Sequence, residues 1–323
     1  MTEHSKISVP AETDGSLIER AVRAFDLHAF APPPVPAAIT NGAAVKVQAE
    51  VAPQSGPLAG VIVAELPANA PAPEPVRFAG PVHPIDRERL REQGLIDPEG
   101  AVTALLEEFR IVKRQILLEA AELRRAQAGS AAQRVLICSP HPGEGKTFCA
   151  VNLALSIAAE KESEVVLVDA DFAKPSILSV LGLPGGPGLM DALADPAIDV
   201  AECVLATDVP GLWVLPAGNM NSSDTEFLAS SQTRAVLDRL TAGAPQRMVI
   251  FDSPPVLAAS PAAELAKYVG QAVLVARADR TGQGALEDAV SLLSACPNIQ
   301  LLLNAVQFSP SGRRFGTYYG YEG

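Results

Sequence analysis

The pattern that most constrains this chain is the run at residues 135–147, an apolar stretch that feeds into a glycine-bearing turn. Val135-Leu136-Ile137-Cys138 has the length and composition of a buried strand. Ser139-Pro140-His141-Pro142-Gly143-Glu144-Gly145-Lys146-Thr147 follows, and residues 146–160 read as a helix. Strand, loop and helix in this order are what a phosphate-binding loop requires. Gly143 and Gly145 let backbone N–H groups gather round an anion without a Cβ in the way. The next helix turns its N-terminal N–H groups and the positive end of its dipole toward the same place. Lys146 then suits the β- and γ-phosphates, and Thr147 a Mg2+ ion. The strict pattern G-x-x-x-x-G-K-[ST] fails at its first glycine, which is Pro140 here. The competing reading is a glycine turn before a helix that carries an exposed lysine.

Two further strand ends carry acids. Val165-Val166-Leu167-Val168 runs into Asp169-Ala170-Asp171, and Met248-Val249-Ile250-Phe251 runs into Asp252-Ser253-Pro254-Pro255. If both strands neighbour the loop strand, three carboxylates meet at one edge. Mg2+ takes one or two carboxylates together with phosphate oxygens, a role that suits Asp171 and Asp252. Asp169 suits the orientation or deprotonation of an incoming hydroxyl. A single such Asp is better explained as a cap on the following turn. A loop plus two acid-ended strands in this order points to nucleotide binding.

The rest of the chain supplies the matching architecture. Strands are expected at 135–138, 165–169, 211–216, 249–252, 272–276 and 301–306. Helices are expected at 102–127, 146–160, 223–240, 261–268 and 285–295. In the first helix Leu105, Phe109, Val112, Ile116 and Leu123 make one apolar stripe. Ser223 and Glu226 form a capping box at the start of the 223–240 helix. Short apolar strands alternating with helices predict an α/β fold of P-loop NTPase type: a mostly parallel sheet flanked by helices, with ligands at the carboxyl ends of its strands.

Upstream the character changes. Residues 1–84 read as a mostly disordered extension, rich in Ala and Pro from residue 31 onward. Within it Leu17, Ile18, Ala21, Val22 and Phe25 fall at helical spacing, so 16–30 reads as a short amphipathic helix. It would dock on a partner or a membrane surface, or pack on its own domain. Residues 61–66 could form a strand or recognition patch. Folded structure is expected from about Ile85: a helical lead-in over 85–128, a nucleotide domain over 129–309 and a flexible tail over 310–323. The net charge of −12 argues against nucleic acid and leaves no basic face for anionic lipid. No apolar run is long enough to span a membrane, and the polar residues 1–10 show no signal peptide. Cys138, Cys149, Cys203 and Cys296 follow no metal spacing and read as buried thiols of a reducing compartment.

These residues resemble the bacterial tyrosine kinases (BY-kinases). The loop 139–147 is similar to their P-G-E-G-K-[ST] loop. Residues 168–175 are similar to their D-x-D-x-R-[RK]-P segment, with Ala173 where an Arg is frequent. Phe251-Asp252-Ser253-Pro254-Pro255 resembles their D-[TS]-P-P segment. The resemblance covers roughly residues 100–309. It is nearest to the tyrosine autokinases of exosortase-associated exopolysaccharide loci, through residues 108–114, 145–148 and 16–21. It implies Mg2+ and ATP bound by Pro142, Gly143, Glu144, Gly145, Lys146, Thr147 and Phe148, with Thr147, Asp171 and Asp252 on the metal and Lys146, Asp169 and Asp171 in catalysis. It implies autophosphorylation of the tail tyrosines Tyr318, Tyr319 and Tyr321, the chain having only Tyr268 besides. It implies a ring of subunits joined through an E-x-x-R-x-x-[RK] helix, here Glu107, Arg110 and Lys113. It further implies a separate membrane protein that sets polysaccharide chain length, with residues 17–25 as its contact, an opposing tyrosine phosphatase, and a cytoplasmic location at the inner face of the membrane. Strand order and the resemblance put Asn304 near the adenine. Two alternatives stand beside the autokinase: a positioning or partition ATPase, whose second lysine is His141 here, and a nucleotide-binding assembly scaffold without kinase activity.

Overall fold

The structure is a computed structural model that describes residues 74–219 and 224–307. The expectations for 16–30, the Ala/Pro tether up to residue 73, 61–66, the Ser223 cap and the tail tyrosines lie outside those residues.

In chain order the elements are β1 (Val82–His83), α1 (Arg87–Glu92), α2 (Ala104–Arg125), β2 (Arg134–Cys138), α3 (Lys146–Ala158), β3 (Glu164–Asp169), α4 (Ile177–Leu181) and α5 (Leu189–Ala194). There follow β4 (Leu205–Thr207), β5 (Leu212–Leu215), α6 (Asp224–Leu228), α7 (Gln232–Thr241), β6 (Arg247–Asp252), α8 (Pro261–Leu265), β7 (Gln271–Arg277), α9 (Gln283–Leu292) and β8 (Ile299–Asn304). The strands form one sheet in the order β1-β4-β5-β3-β6-β2-β7-β8. Every neighbouring pair is parallel except β4 with β5.

Alternation along the strands sorts the core onto two faces. Val135, Ile137, Val165 and Leu167 pack with α1, α2, α3 and α4, through Leu90, Phe109, Ile116, Ile177 and Leu181. Leu136, Cys138, Val166 and Val168 pack with the other helices, through Leu193, Leu237, Leu265 and Ala289. From Cys149 to Ala158 every residue of α3 is buried, because α2 covers the side that the sheet leaves open. The side chain of Thr103 caps α2 by accepting the Leu106 N–H at 3.2 Å.

Several expected bounds are corrected. The domain begins before Ile85: Val76 and Phe78 are buried. Val76 bonds through its N–H to the Ala242 carbonyl at 3.0 Å, and its own carbonyl takes Arg247 Nη2 at 2.9 Å. Phe78 packs edge-on against Trp213 and lies beneath the Arg247 guanidinium. The single helix read over 223–240 is two helices, α6 and α7. The Thr233 hydroxyl donates to the Phe227 carbonyl at 3.0 Å across the break, the kind of local bond that competes with a helix. The helix read over 261–268 ends at Leu265, and its last residues form turns. β8 ends at Asn304 rather than at Val306, because Ala305 takes a φ of 55°. The four cysteines are buried and free, as expected. Among the described residues no helix is long and apolar enough to cross a membrane.

Candidate active site

Strand register gathers the site. Ile137 of β2 and Asp169 of β3 both stand level with Asp252 of β6, and Arg277 of β7 stands level with Asn304 of β8. The carboxyl ends of β3, β6, β2, β7 and β8 therefore make one continuous edge.

The loop from β2 to α3 has the shape expected of it. Gly143 and Gly145 adopt φ of 76° and 97°, a region that favours glycine. A Cβ on Gly145 would also lie 2.1 Å from Asn304 Nδ2. Pro140 is accommodated where the motif's first glycine is missing: the carbonyls of Ser139 and Pro140 take the N–H groups of Val256 and Leu257 at 2.8 and 3.3 Å. Lys146 Nζ lies 3.2 Å from Asp171 Oδ2. Thr147 Oγ1 donates to Asp252 Oδ2 at 2.6 Å. The Phe148 side chain packs edge-on against Phe109, so only its backbone belongs to the site.

The three acids differ in exposure and in partners. Asp252 is fully buried, and burial pushes its pKa up to about 7. The Thr147 hydroxyl and the Lys146 charge pull it back, while Asp169 and Asp171 push it further up. Burial also pushes Asp169 up to about 6, against the N–H groups of Ile177, Ser176 and Asp171. Those amides define what Asp169 does. Its Oδ2 accepts from Ser176 and Ile177 at 2.8 and 2.9 Å, and its Oδ1 from Asp171 at 3.3 Å. Asp169 thus fixes the 170–177 segment at the start of α4. Asp171 is the acid of that strand end that meets Lys146.

The chemistry of the set suits magnesium. Asp252 Oδ1 is buried without a hydrogen-bond partner. Leaving a buried carboxylate oxygen unmatched is costly, and three acids at one edge repel one another. A divalent cation held by Thr147, Asp252 and Asp171 would relieve both and neutralise phosphate charge.

Residues beyond the predicted set complete the edge. Asn304 donates from Nδ2 to the Glu144 carbonyl at 2.9 Å, and Arg277 from Nη1 to the Gly143 carbonyl at 3.2 Å. The Thr281 hydroxyl donates to Glu144 Oε1. Asn304 was legible as a strand-end residue, but Arg277 and Thr281 carry no spacing signal. The predicted interface residues sit elsewhere. Glu107 and Arg110 pair with each other on α2. Lys113 is buried and pairs with Glu160 Oε1 at 2.8 Å, so it faces its own domain. That pair stands past the far end of α3, a helix length of roughly 20 Å from Lys146.

Fold and edge together define a P-loop NTPase-type domain. The chain belongs to the bacterial tyrosine-protein kinase family. It is 32% identical to the tyrosine-protein kinase YwqD of Bacillus subtilis (strain 168) over 191 residues, which cover 58% of this chain and 77% of that protein. It is 31% identical to the putative tyrosine-protein kinase EpsB of Ralstonia nicotianae over 201 residues, 61% of this chain. The match spans only 26% of EpsB. Among solved structures the BceF tyrosine kinase domain superposes with a TM-score of 0.51 at 25% identity, covering 61% of this chain and 76% of that one. The kinase domain of Escherichia coli ETK shares the fold, with a TM-score of 0.52 and 24% identity over 61% of this chain and 76% of that one. No family model matches the chain.

Proposed function

We propose that this chain is an ATP-dependent protein-tyrosine autokinase that phosphorylates Tyr318, Tyr319 and Tyr321 between subunits and regulates exopolysaccharide synthesis or export. The observation that carries the reading is the pairing of Lys146 with Asp171 and of Thr147 with Asp252 at the edge where the loop glycines open. These are the groups that phosphoryl transfer needs in place, since its catalysis is mostly positioning and electrostatics. The backbone from Gly143 to Thr147 binds the phosphates. Lys146 exchanges Asp171 for phosphate oxygens and neutralises charge as it develops. Thr147, Asp171 and Asp252 would hold magnesium, which would neutralise phosphate charge. Asp169 keeps the 170–177 segment in place and assists the arriving tyrosine hydroxyl. The tail is the acceptor because three of the chain's four tyrosines lie in its last six residues.

On this reading the partners are further copies of the chain in a ring-like oligomer, with Glu107, Arg110 and Lys113 at its contacts. A membrane-bound chain-length co-polymerase activates the kinase through residues 17–25 and holds it at the inner face of the membrane. A tyrosine phosphatase reverses the modification. Transfer between subunits has a direct test. A Lys146→Met chain with its tyrosines intact is mixed with an active chain whose three tail tyrosines are Phe. Phosphate on the Lys146→Met tail supports transfer between subunits. Its absence, while wild type alone is modified, would contradict it.

A further inference from the structure

Glu144 presents a difficulty that the nucleotide-binding reading leaves open. It puts an acidic side chain inside a loop shaped to receive phosphates, where like charge repels. The side chain is 5% exposed, and among the described residues it makes no ion pair. Its two oxygens are committed instead. Oε2 accepts the His141 N–H at 2.8 Å, closing the loop on itself across three residues. Oε1 accepts the hydroxyl of Thr281, a residue outside the loop.

Thr281 is itself fixed. Its Oγ1 accepts the Arg277 N–H at 2.9 Å, and its own N–H reaches the Arg277 carbonyl at 3.0 Å. The turn after β7 is therefore a closed unit. The same unit sends Arg277 Nη1 to the Gly143 carbonyl at 3.2 Å. From β8, Asn304 Nδ2 reaches the Glu144 carbonyl at 2.9 Å and stands where a Cβ on Gly145 would be. Two consecutive loop residues, Gly143 and Glu144, are thus held from the ends of β7 and β8, and Asn304 stands beside the third, Gly145. Every hold is on a carbonyl or a carboxyl. None takes an N–H of Gly143, Glu144 or Gly145, the groups a phosphate needs.

We infer that Glu144, Thr281, Arg277 and Asn304 form a clamp that sets the phosphate loop in its binding shape before nucleotide arrives. Glu144 and Thr281 are its central positioning residues, and neither side chain touches the nucleotide. The clamp orients groups that would otherwise be ordered at the expense of binding energy. It explains why a carboxyl is present at this place: it takes the His141 amide and the Thr281 hydroxyl together, which an apolar side chain would leave unmatched.

The inference rests on the nucleotide-binding reading above, and Mg·ADP separates the two. Wild type, Thr281→Val, Thr281→Ser and Glu144→Gln are titrated with Mg·ADP by calorimetry, and their melting temperatures are taken without nucleotide. Loss of one hydrogen bond to a charged group is worth about tenfold in affinity. Thr281→Val should bind Mg·ADP about tenfold more weakly, in addition to a modest fall in the nucleotide-free melting temperature from the lost bonds to Arg277 and Glu144. Thr281→Ser, which keeps the hydroxyl, should bind as wild type does. Glu144→Gln should fall between them, since its amide oxygen still serves His141. Wild-type affinity in both Thr281→Val and Glu144→Gln would overturn the clamp and leave the nucleotide site standing. A fall in the nucleotide-free melting temperature of Thr281→Val with unchanged affinity would make Thr281 a merely structural residue and would overturn it too. Failure of wild type itself to bind Mg·ADP would overturn both readings at once.

Discussion

Asp252 shows how a residue can weaken the fold and serve the site. It lies at 0% exposure, with Oδ2 held by Thr147 and Oδ1 unmatched. An amide in its place removes the buried charge and its repulsion from Asp169 and Asp171. Asp252→Asn should therefore melt no lower than wild type at pH 8 without nucleotide, while its affinity for Mg·ADP falls at least about tenfold. A thermal scan and a Mg·ADP titration of the same sample check both halves. Gly145 is constrained from two sides, by its φ of 97° and by Asn304. Gly145→Ala should weaken Mg·ADP binding in the same titration, since a φ of 97° strains any residue with a Cβ and Asn304 must swing aside. The glycines and Lys146-Thr147 were legible in the chain because their spacing is local. The amide bonds of Asp169 were not, because they come from Ser176 and Ile177, across a loop whose path no spacing reveals.

Elements with a long period were also legible. α2 carries its apolar stripe across many turns, and the core strands are continuous apolar runs. α1, α4, α5, β1 and β4 were missed because two to six residues show no period to read. The lead-in at 74–80 was missed for a different reason. Prolines surround it, and its order comes from partners far along the chain: Trp213, Ala242 and Arg247. This attachment has a built-in reporter, because Trp213 is the only tryptophan and its ring centroid lies 5.2 Å from that of Phe78. Phe78→Ala should cost about 3 kcal/mol in urea unfolding, the low end for a buried Phe at a domain edge. It should also shift the emission of native Trp213 to the red as water reaches the ring.

At the scale of the whole molecule, the crowded acids make stability depend on pH in an unusual direction. Asp169 and Asp252 titrate near 6 and 7 in the folded domain, raised from about 3.8. Between those values the folded domain holds protons that the unfolded chain releases, so stability falls as pH rises. Their contribution is complete below the unfolded value and lost above about pH 7. Asp191, Asp199, Asp208 and Asp238 are held below the ordinary carboxylate range, so their opposite slope lies at lower pH. The nucleotide-free protein should melt at a lower temperature at about pH 8 than at about pH 5.5. Mg·ADP should raise the melting temperature more at the higher pH, where the acids are charged. A flat melting profile across that range would contradict the burial of these groups.

The groups stand in order along the sheet edge, with Asn304 and Arg277 at one side, the loop and Asp252 in the middle, and Asp169 and Asp171 at the other, which the proposed autokinase reading makes the acceptor side. The most direct test of that account is peptide mass spectrometry of the C-terminal segment before and after incubation with Mg·ATP. Wild type is compared with Lys146→Met and with the chain carrying Phe at positions 318, 319 and 321. The account predicts phosphate on the tail of wild type and none in either variant. An unmodified wild-type tail in the presence of the proposed membrane activator, or a modified tail in Lys146→Met protein made in cells without other tyrosine kinases, would contradict it.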